Sequence, residues 1–390
     1  MKVLYFLITT CFLFFANIYT ENSAENPYAP NENTVKIDIS KAIKDTESFL
    51  SKLKITKVVK LKGEDKTFIT NSRKIIEHKE LIYILDFMQT ELTIFDKQGN
   101  YVGRVGAKGR GPGEFERIFD FTILDDDKII VAHMNGLSMF DKNRQYIKSK
   151  NNLHPSQISK IKGNEFTAYL EYPTDPKFSK NLIAYNSNFD FVDDFFPFPK
   201  DNLKHFLDVG GVKSSPYGIL FNETSSPVLH ELTKDRVISA KYMLSGSDNI
   251  WPYKNRYDLI AFSKKIMEYN NNIIHLNSSF QESTTALVLS MKHKNKFRTV
   301  FFDKQEEKVY LPSLLNQSHM FPLFLAFDGL ALSEKNEFII PVYMNKLYRK
   351  LNKDETLKTD MAKYFPELLT LAEGTDEYSN PALVYFTFGE

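Results

Sequence analysis

An eleven-residue phrase recurs in this chain at a fixed step. Leu92-Thr93-Ile94-Phe95-Asp96-Lys97-Gln98-Gly99-Asn100-Tyr101-Val102 is repeated in register by Leu137-Ser138-Met139-Phe140-Asp141-Lys142-Asn143-Arg144-Gln145-Tyr146-Ile147. Leu182-Ile183-Ala184-Tyr185-Asn186-Ser187-Asn188-Phe189-Asp190-Phe191-Val192 is a weaker third copy. The anchors Phe95, Phe140 and Tyr185 are spaced by 45 residues. Each phrase reads as strand, polar turn, strand. A period of about 40–50 residues built from strand hairpins specifies radial β-propeller blades rather than a helical solenoid.

The remainder of the chain extends this layout. Apolar runs at 81–86, 128–132 and 165–170 precede the three phrases, and their lost alternation marks them as the inner strands of blades. Residues 217–221, 227–231 and 236–242 supply a fourth blade. Segments 272–276, 286–291, 298–302 and 307–311 supply a fifth, and 329–332, 337–343 and 346–351 a sixth. Tyr257, Ile260, Ala261, Lys264 and Met267 fall at steps of three and four, so a helical insertion is expected at about 250–270. Residues 41–54 have room for a helical turn or two, and 356–371 also read as helical. The strands within 35–61 and 382–388 are the natural elements to close the ring and protect its edges. The expected fold is an all-β, six-bladed β-propeller with a short helical insertion and a terminal strand closing the ring.

The N-terminus carries Lys2 and then an apolar run to Tyr19, followed by polar Glu21–Asn26, the form of a secretory signal peptide. The expected organisation is therefore a signal peptide at 1–24, a polar tether at 25–34 and one propeller domain at 35–390. The alternative for the first segment is an uncleaved membrane anchor. Cys11 is the only cysteine, and apolar residues continue after it, unlike a lipid-attachment site. Cleavage downstream of it leaves no disulfide, thiolate metal site or cysteine nucleophile in the mature chain. Lys+Arg (50) nearly cancels Asp+Glu (49), which gives no general attraction to nucleic acid.

Directly after the first hairpin stands Arg104-Val105-Gly106-Ala107-Lys108-Gly109-Arg110-Gly111-Pro112-Gly113-Glu114-Phe115. Together with Phe95-Asp96-Lys97-Gln98-Gly99, this stretch resembles the six-bladed β-propeller family of Bacteroidetes envelope proteins, related to NHL-repeat propellers. The terminal Asn380-Pro381-Ala382-Leu383-Val384 is similar to that family's closing strand. The resemblance implies the six-bladed fold and an exported protein of the periplasm or cell surface. It implies no reaction, because most such proteins have no established activity. Members that are lipid-anchored differ from this chain at Cys11.

Gly109, Gly111, Pro112 and Gly113 suit a tight structural loop, and Glu114 is placed to accept backbone N–H bonds within it. The stretch lacks the Gly-Lys-Ser/Thr ending of a phosphate loop. Arg104, Lys108 and Arg110 suit an anionic or polyhydroxyl partner. Trp251, Tyr253 and Arg256, around the expected insertion, form a second candidate recognition surface. The eight histidines are dispersed, so no metal pair is indicated, and no cofactor is implied. Asp125-Asp126-Asp127 reads as a solvated turn. Asp193-Asp194 lies among phenylalanines, as acids do in some sugar-cleaving sites. The functional expectation is a non-enzymatic binding module at the cell envelope, with a glycan or an envelope protein as partner. The alternative is a carbohydrate-active hydrolase or lyase whose acids come from different blades.

Overall fold

In the computed structural model, residues 28–63, 67–170, 179–197, 210–223, 226–252, 273–293, 296–312, 329–376 and 379–389 are described. They form six antiparallel sheets arranged as a six-bladed propeller. Blade 1 runs outward from the channel through Ser72–His78, Leu81–Asp86, Glu91–Asp96 and Tyr101–Val105. Blade 2 comprises Ile118–Ile123, Ile129–His133, Gly136–Phe140 and Tyr146–Asn151. Blade 3 comprises Gln157–Lys162, Glu165–Tyr169, Lys180–Asn186 and Phe191–Pro197. Gly211–Ser215, Gly218–Asn222, Val228–Thr233 and Ile238–Ser245 form blade 4. His275–Glu282, Ala286–His293, Lys296–Asp303 and Lys308–Tyr310 form blade 5. Blade 6 is composite: Ala331–Leu332, Phe338–Val342 and Ala382–Phe388 come from the C-terminal part, and Leu53–Lys60 supplies the outermost strand.

The recurring phrase is explained by one turn chemistry. Asp96 Oδ1 accepts the backbone N–H groups of Gln98 (2.9 Å) and Asn100 (2.8 Å). Asp141 does the same for Asn143 and Gln145, and Asn186 for Asn188 and Asp190. Blade 5 uses a variant in which Asp303 accepts from Gln305 and Glu306, and blade 4 substitutes the Thr233 hydroxyl, which accepts from Val237. Each turn also needs one residue at positive φ: Gly99 (+80°), Arg144 (+69°), Phe189 (+66°), Arg236 (+63°) and Glu307 (+53°). A short acceptor side chain that bonds its own backbone two residues on is what makes such a tight turn stable. The following strand is bulged at Val102, Ile147 and Val192, again at the 45-residue step.

Two sequence expectations change. The apolar runs 81–86, 128–132 and 165–170 map onto second strands, not innermost ones. A second strand is sandwiched between neighbouring blades and buries nearly every residue. The innermost strands face the channel and are only partly buried where they meet it, so they carry Arg73, Lys74, Glu77 and His78 in blade 1. Lys346–Leu351 is not a strand but part of helix Met344–Leu351. Its buried residues Met344, Leu347 and Leu351 fall at helical steps of three and four. Helices Glu355–Tyr364 and Pro366–Glu373 follow, the former capped by Asp354 and the latter started by Pro366. Together they bury Leu347, Leu357, Met361 and Leu368 against Val288 and Phe301 of blade 5 and Val384 and Phe386 of blade 6. The helical insertion expected at about 250–270 falls mainly on 253–272, outside the described residues.

At the N-terminus, the signal-peptide expectation and Cys11 also lie outside the described residues. From Tyr28 onward the expected tether is packed. The Tyr28 ring sits 4.5 Å from that of Phe196, its carbonyl meets the His230 ring nitrogen at 2.8 Å, and Thr34 donates to the Ala240 carbonyl. Val35–Asp38 then pairs in parallel with the outer strand of blade 4, making that sheet five-stranded. No described helix is long and apolar enough to cross a membrane.

Gly99 couples the turn device to ring closure. A Cβ there would lie 2.2 Å from the Lys60 carbonyl oxygen, at the end of the closing strand. Gly99→Ala is expected to cost about 2–4 kcal/mol, from positive φ and the backbone clash together. Gly163 also has positive φ, but a Cβ there meets nothing within 4 Å. Gly163→Ala should cost only about 1–2 kcal/mol. Urea unfolding of the two variants checks the difference, and equal losses would contradict the clash.

Candidate functional site

The channel has two mouths, distinguished by which ends of the inner strands surround them. The mouth at the inner-strand starts is built around Asp86, which is buried at the end of blade 1's second strand. Its carboxylate accepts the backbone N–H groups of Thr70 (2.5 Å), Asn71 (3.2 Å), Met88 (3.0 Å) and Gln89 (3.0 Å), and the Thr70 hydroxyl. One ionisable side chain therefore binds the segment entering the inner strand to the loop leaving the second. Phe87 is carried on that loop. From the other side, the Ser72 N–H donates to the Tyr343 hydroxyl of blade 6 at 2.6 Å.

Two guanidinium groups rest on Phe87. The Arg73 carbon is 4.5 Å from the ring centroid and the Arg117 carbon 5.1 Å. Such contacts are worth about 0.5–2 kcal/mol and fix the orientation of a flexible side chain. Arg73 is aimed by a β-bulge: Ser72 pairs with Asp86 and Lys74 with Leu85, leaving Arg73 unpaired between them. This is why consecutive residues Arg73 and Lys74 line the same cavity. The inner strand of blade 2 is bulged at Phe119, and Arg117 lies 5.8 Å from that ring. The inner strand of blade 5 is bulged across Asn277–Ser279. Bulges on three inner strands thus surround one mouth, and bulges concentrate where a strand must re-aim side chains.

The floor of this mouth is a buried ion pair spanning three blades. Lys74 of blade 1 donates to Asp120 of blade 2 at 3.0 Å and to the Ile158 carbonyl of blade 3 at 2.6 Å. Asp120 also accepts the Ile158 N–H at 2.8 Å. Burial pulls the Lys74 ammonium below its ordinary pKa, and the adjoining Asp120 opposes that shift. The cavity encloses about 360 Å³, with Asn71, Gln157, Lys213, Ser278 and Ser279 among its walls. Gln157 is committed to scaffolding, because it bridges the Gly210 carbonyl and the Val212 N–H of blade 4.

The opposite mouth, about 390 Å³, has a mixed charge. Glu77 and Glu334 approach the same Lys97 ammonium at 3.6 and 3.7 Å. Glu77 also accepts from the Tyr385 hydroxyl, and Glu334 from the Lys79 N–H. His78 and Lys79 both meet Asp127. Among the described residues no group of three or more His, Cys, Asp or Glu is arranged to hold a metal ion.

The residues singled out from sequence lie elsewhere. Arg104 is paired with Glu91 at 3.3 Å, and Arg110 with Glu116 at 2.6 Å. Lys108 is exposed in a two-residue parallel bridge with Glu114–Phe115. Glu114 accepts the Gly111 N–H at 2.9 Å, as a structural loop requires. Gly106 has φ +68°, and a Cβ there would lie 2.4 Å from the Phe115 ring. Phe115 in turn packs on His133 (5.0 Å) and Phe140 (5.8 Å), so the loop clamps blade 1 to blade 2. Trp251 is 3% exposed, donates its backbone N–H to the Ile274 carbonyl, and borders a surface depression with Pro227 and Met243. Tyr253 and Arg256 lie outside the described residues. None of the described residues in this group lines either channel mouth. Asp194 pairs with Lys180 on the outer strand of blade 3, and Asp125, Asp126 and Asp127 each pair with a different lysine.

A model of the family described as a domain of unknown function, DUF4934, matches residues 34–387. The chain belongs to that family. Its fold is similar to that of a protein described as exported from Bacteroides fragilis, with a TM-score of 0.69 at 16% identity, covering 92% of this chain and 99% of that one. It is also similar to a DUF4221-family member from Bacteroides vulgatus, with a TM-score of 0.51 at 11% identity, covering 86% and 98%. No curated protein matches the chain. At these identities the likeness shows the six-bladed fold, in agreement with the blade count expected from the repeat.

Two outcomes test the packing. Asp120→Ala strands the Lys74 ammonium and is expected to cost about 3–5 kcal/mol in urea unfolding. The double variant Lys74→Met/Asp120→Leu should recover much of that loss, since a buried pair replaced by apolar side chains is often near neutral. The second outcome concerns His133, whose pKa burial, aided by His154, lowers to about 4 from 6.5. The unfolded chain then binds a proton that the folded one refuses. Stability is full above pH 6.5 and falls as pH drops from 6.5 towards 4. His133→Gln should flatten that part of the urea-midpoint profile, and an unchanged slope would assign the acid sensitivity to other groups.

Proposed function

We propose that this chain is an exported, non-enzymatic binding module of the cell envelope, and that the Arg73/Arg117 mouth receives its glycan or protein partner. The observation that carries this reading is the pair of guanidinium groups on Phe87. Among the described residues neither has a carboxylate or hydrogen-bond partner, whereas Arg104 and Arg110 are each neutralised by an acid. Two like charges held on one ring, one of them aimed by a bulge, repel each other, and an anionic group bound between cations relieves such repulsion. Regular blades are scaffold, and recognition sits on what departs from them.

The enzymatic alternative draws less support. Sugar hydrolysis by paired acids needs two carboxylates opened towards the scissile bond, about 5–10 Å apart. Glu77 and Glu334 are bridged by Lys97, which occupies the space between them. Among the described lining residues of the Arg73 cavity, Asp120 is the carboxylate, and Lys74 holds it.

The test is an affinity capture from the protein's own envelope extract with residues 25–390, followed by mass spectrometry and glycan analysis. Arg73→Ala/Arg117→Ala should lose the captured partner, and Arg104→Ala/Arg110→Ala should retain it. The reverse pattern would move the recognition surface to the glycine-rich loop. Release of sugar fragments from the extract would favour the enzyme.

A further inference from the structure

Building on the reading above, we propose that the Arg73/Arg117 mouth is a subsite for an acidic saccharide. Its carboxylate is taken by the two guanidinium groups, and its hydroxyls by Asn71, Ser278 and Ser279.

The charge comes first. Among the described lining residues, Arg73, Lys74 and Lys213 are the cations and Asp120 the carboxylate, and Lys74 and Asp120 satisfy each other. Arg73, and Arg117 resting on the same Phe87 ring outside the cavity lining, have no acid partner among the described residues and leave positive charge at the opening. Both guanidinium carbons lie over one ring, 4.5 and 5.1 Å from its centroid. A guanidinium presents a planar N–H fork, and carboxylates are bound bidentately by such forks.

The wall opposite is polar but uncharged. The bulge in blade 5 pairs Leu276 with Met291 and Phe280 with Leu289, so three residues face Ser290 alone. Asn277 secures it by accepting the Ser279 N–H and donating to Ser290. Ser278 and Ser279 are thereby presented to the cavity. The side chains of Asn71, Ser278 and Ser279 make no hydrogen bond to another described residue. Hydroxyl and amide groups left open in a concave wall are suited to a polyol. At about 360 Å³ the cavity is of small-ligand size. A phosphate alone would satisfy the guanidinium groups and leave this wall unused. An acidic sugar uses both.

The experiment is calorimetric titration of residues 25–390 with a panel of uronic- and sialic-acid oligosaccharides, their neutral counterparts and inorganic phosphate, at low and high salt. Arg73→Gln, Arg117→Gln and Ser278→Ala/Ser279→Ala are titrated in parallel, after circular dichroism and thermal unfolding confirm that each folds. The expected result is binding of at least one acidic saccharide, weakened by salt, with its neutral counterpart at least about tenfold weaker. Each arginine variant should weaken binding about tenfold or more, and the serine variant several-fold. The proposal is overturned by a neutral sugar that binds equally, by phosphate binding as tightly as every acidic sugar, by arginine variants that bind unchanged, or by no binding across the panel. If the panel fails while Arg73→Ala/Arg117→Ala still abolishes envelope capture, the recognition reading stands and the ligand class is wrong. If capture also survives in that variant, both fall.

Discussion

Everything in this molecule depends on one antiparallel strand pair. Leu53–Lys60, near the start of the described chain, pairs with Ala382–Phe388 at its end, from Leu53↔Phe388 to Lys60↔Ala382. Without it, blade 6 would expose the edge of a strand buried along its whole length. The pair closes a loop of more than three hundred residues, so its entropic cost is met only once the intervening blades are in place. Ring closure and blade packing are therefore formed together. Tyr385 shows the coupling within one residue, packing in the core shared by blades 6 and 1 while its hydroxyl donates to Glu77 beside the channel.

The scaffold is repetitive and the candidate site is not. Asp96, Asp141, Asn186 and Thr233 hold the turn in four blades by accepting the backbone N–H four residues on, and Asp303 holds a variant of it in blade 5. The outer-strand bulges at Val102, Ile147 and Val192 keep the same step. The inner-strand bulges at Arg73, Phe119 and Asn277–Ser279 break that regularity and gather around one mouth. A fold that repeats its geometry leaves departures from the repeat as the places where selection for something other than packing is visible.

Charge follows the same division. On the rim, cations are neutralised locally: Arg104 by Glu91, Arg110 by Glu116 and Lys180 by Asp194. Between blades 4 and 5, buried Glu282 gathers Lys241, Lys304 and the Tyr242 hydroxyl. Burial and the adjacent Glu282 push the Tyr242 phenol well above its usual pKa, so it remains a donor. At the Arg73 mouth, neither Arg73 nor Arg117 has an acid partner among the described residues. The chain is almost neutral overall, so this local excess of positive charge arises from placement and not from composition.

The blade count and the turn chemistry are legible in the chain. The 45-residue step, the Asp-anchored turn and Gly99 are local, and local rules are readable from local residues. In the glycine-rich stretch, Glu114 accepts the Gly111 N–H three residues away, and Gly106 leaves room for the Phe115 ring. Strand order within a blade is not legible in the same way, because an apolar run signals burial without saying between which layers. Lys346–Leu351 by itself reads as a strand, because its helical period emerges only when Met344 is counted with it. The Arg73/Arg117 mouth was decided by tertiary structure alone. Arg73, Arg117, Ser278 and Lys213 come from four blades or their connections, and no spacing in the chain announces their meeting. A propeller brings residues together by rotation about an axis, and rotation leaves no periodic trace at the positions that face the centre.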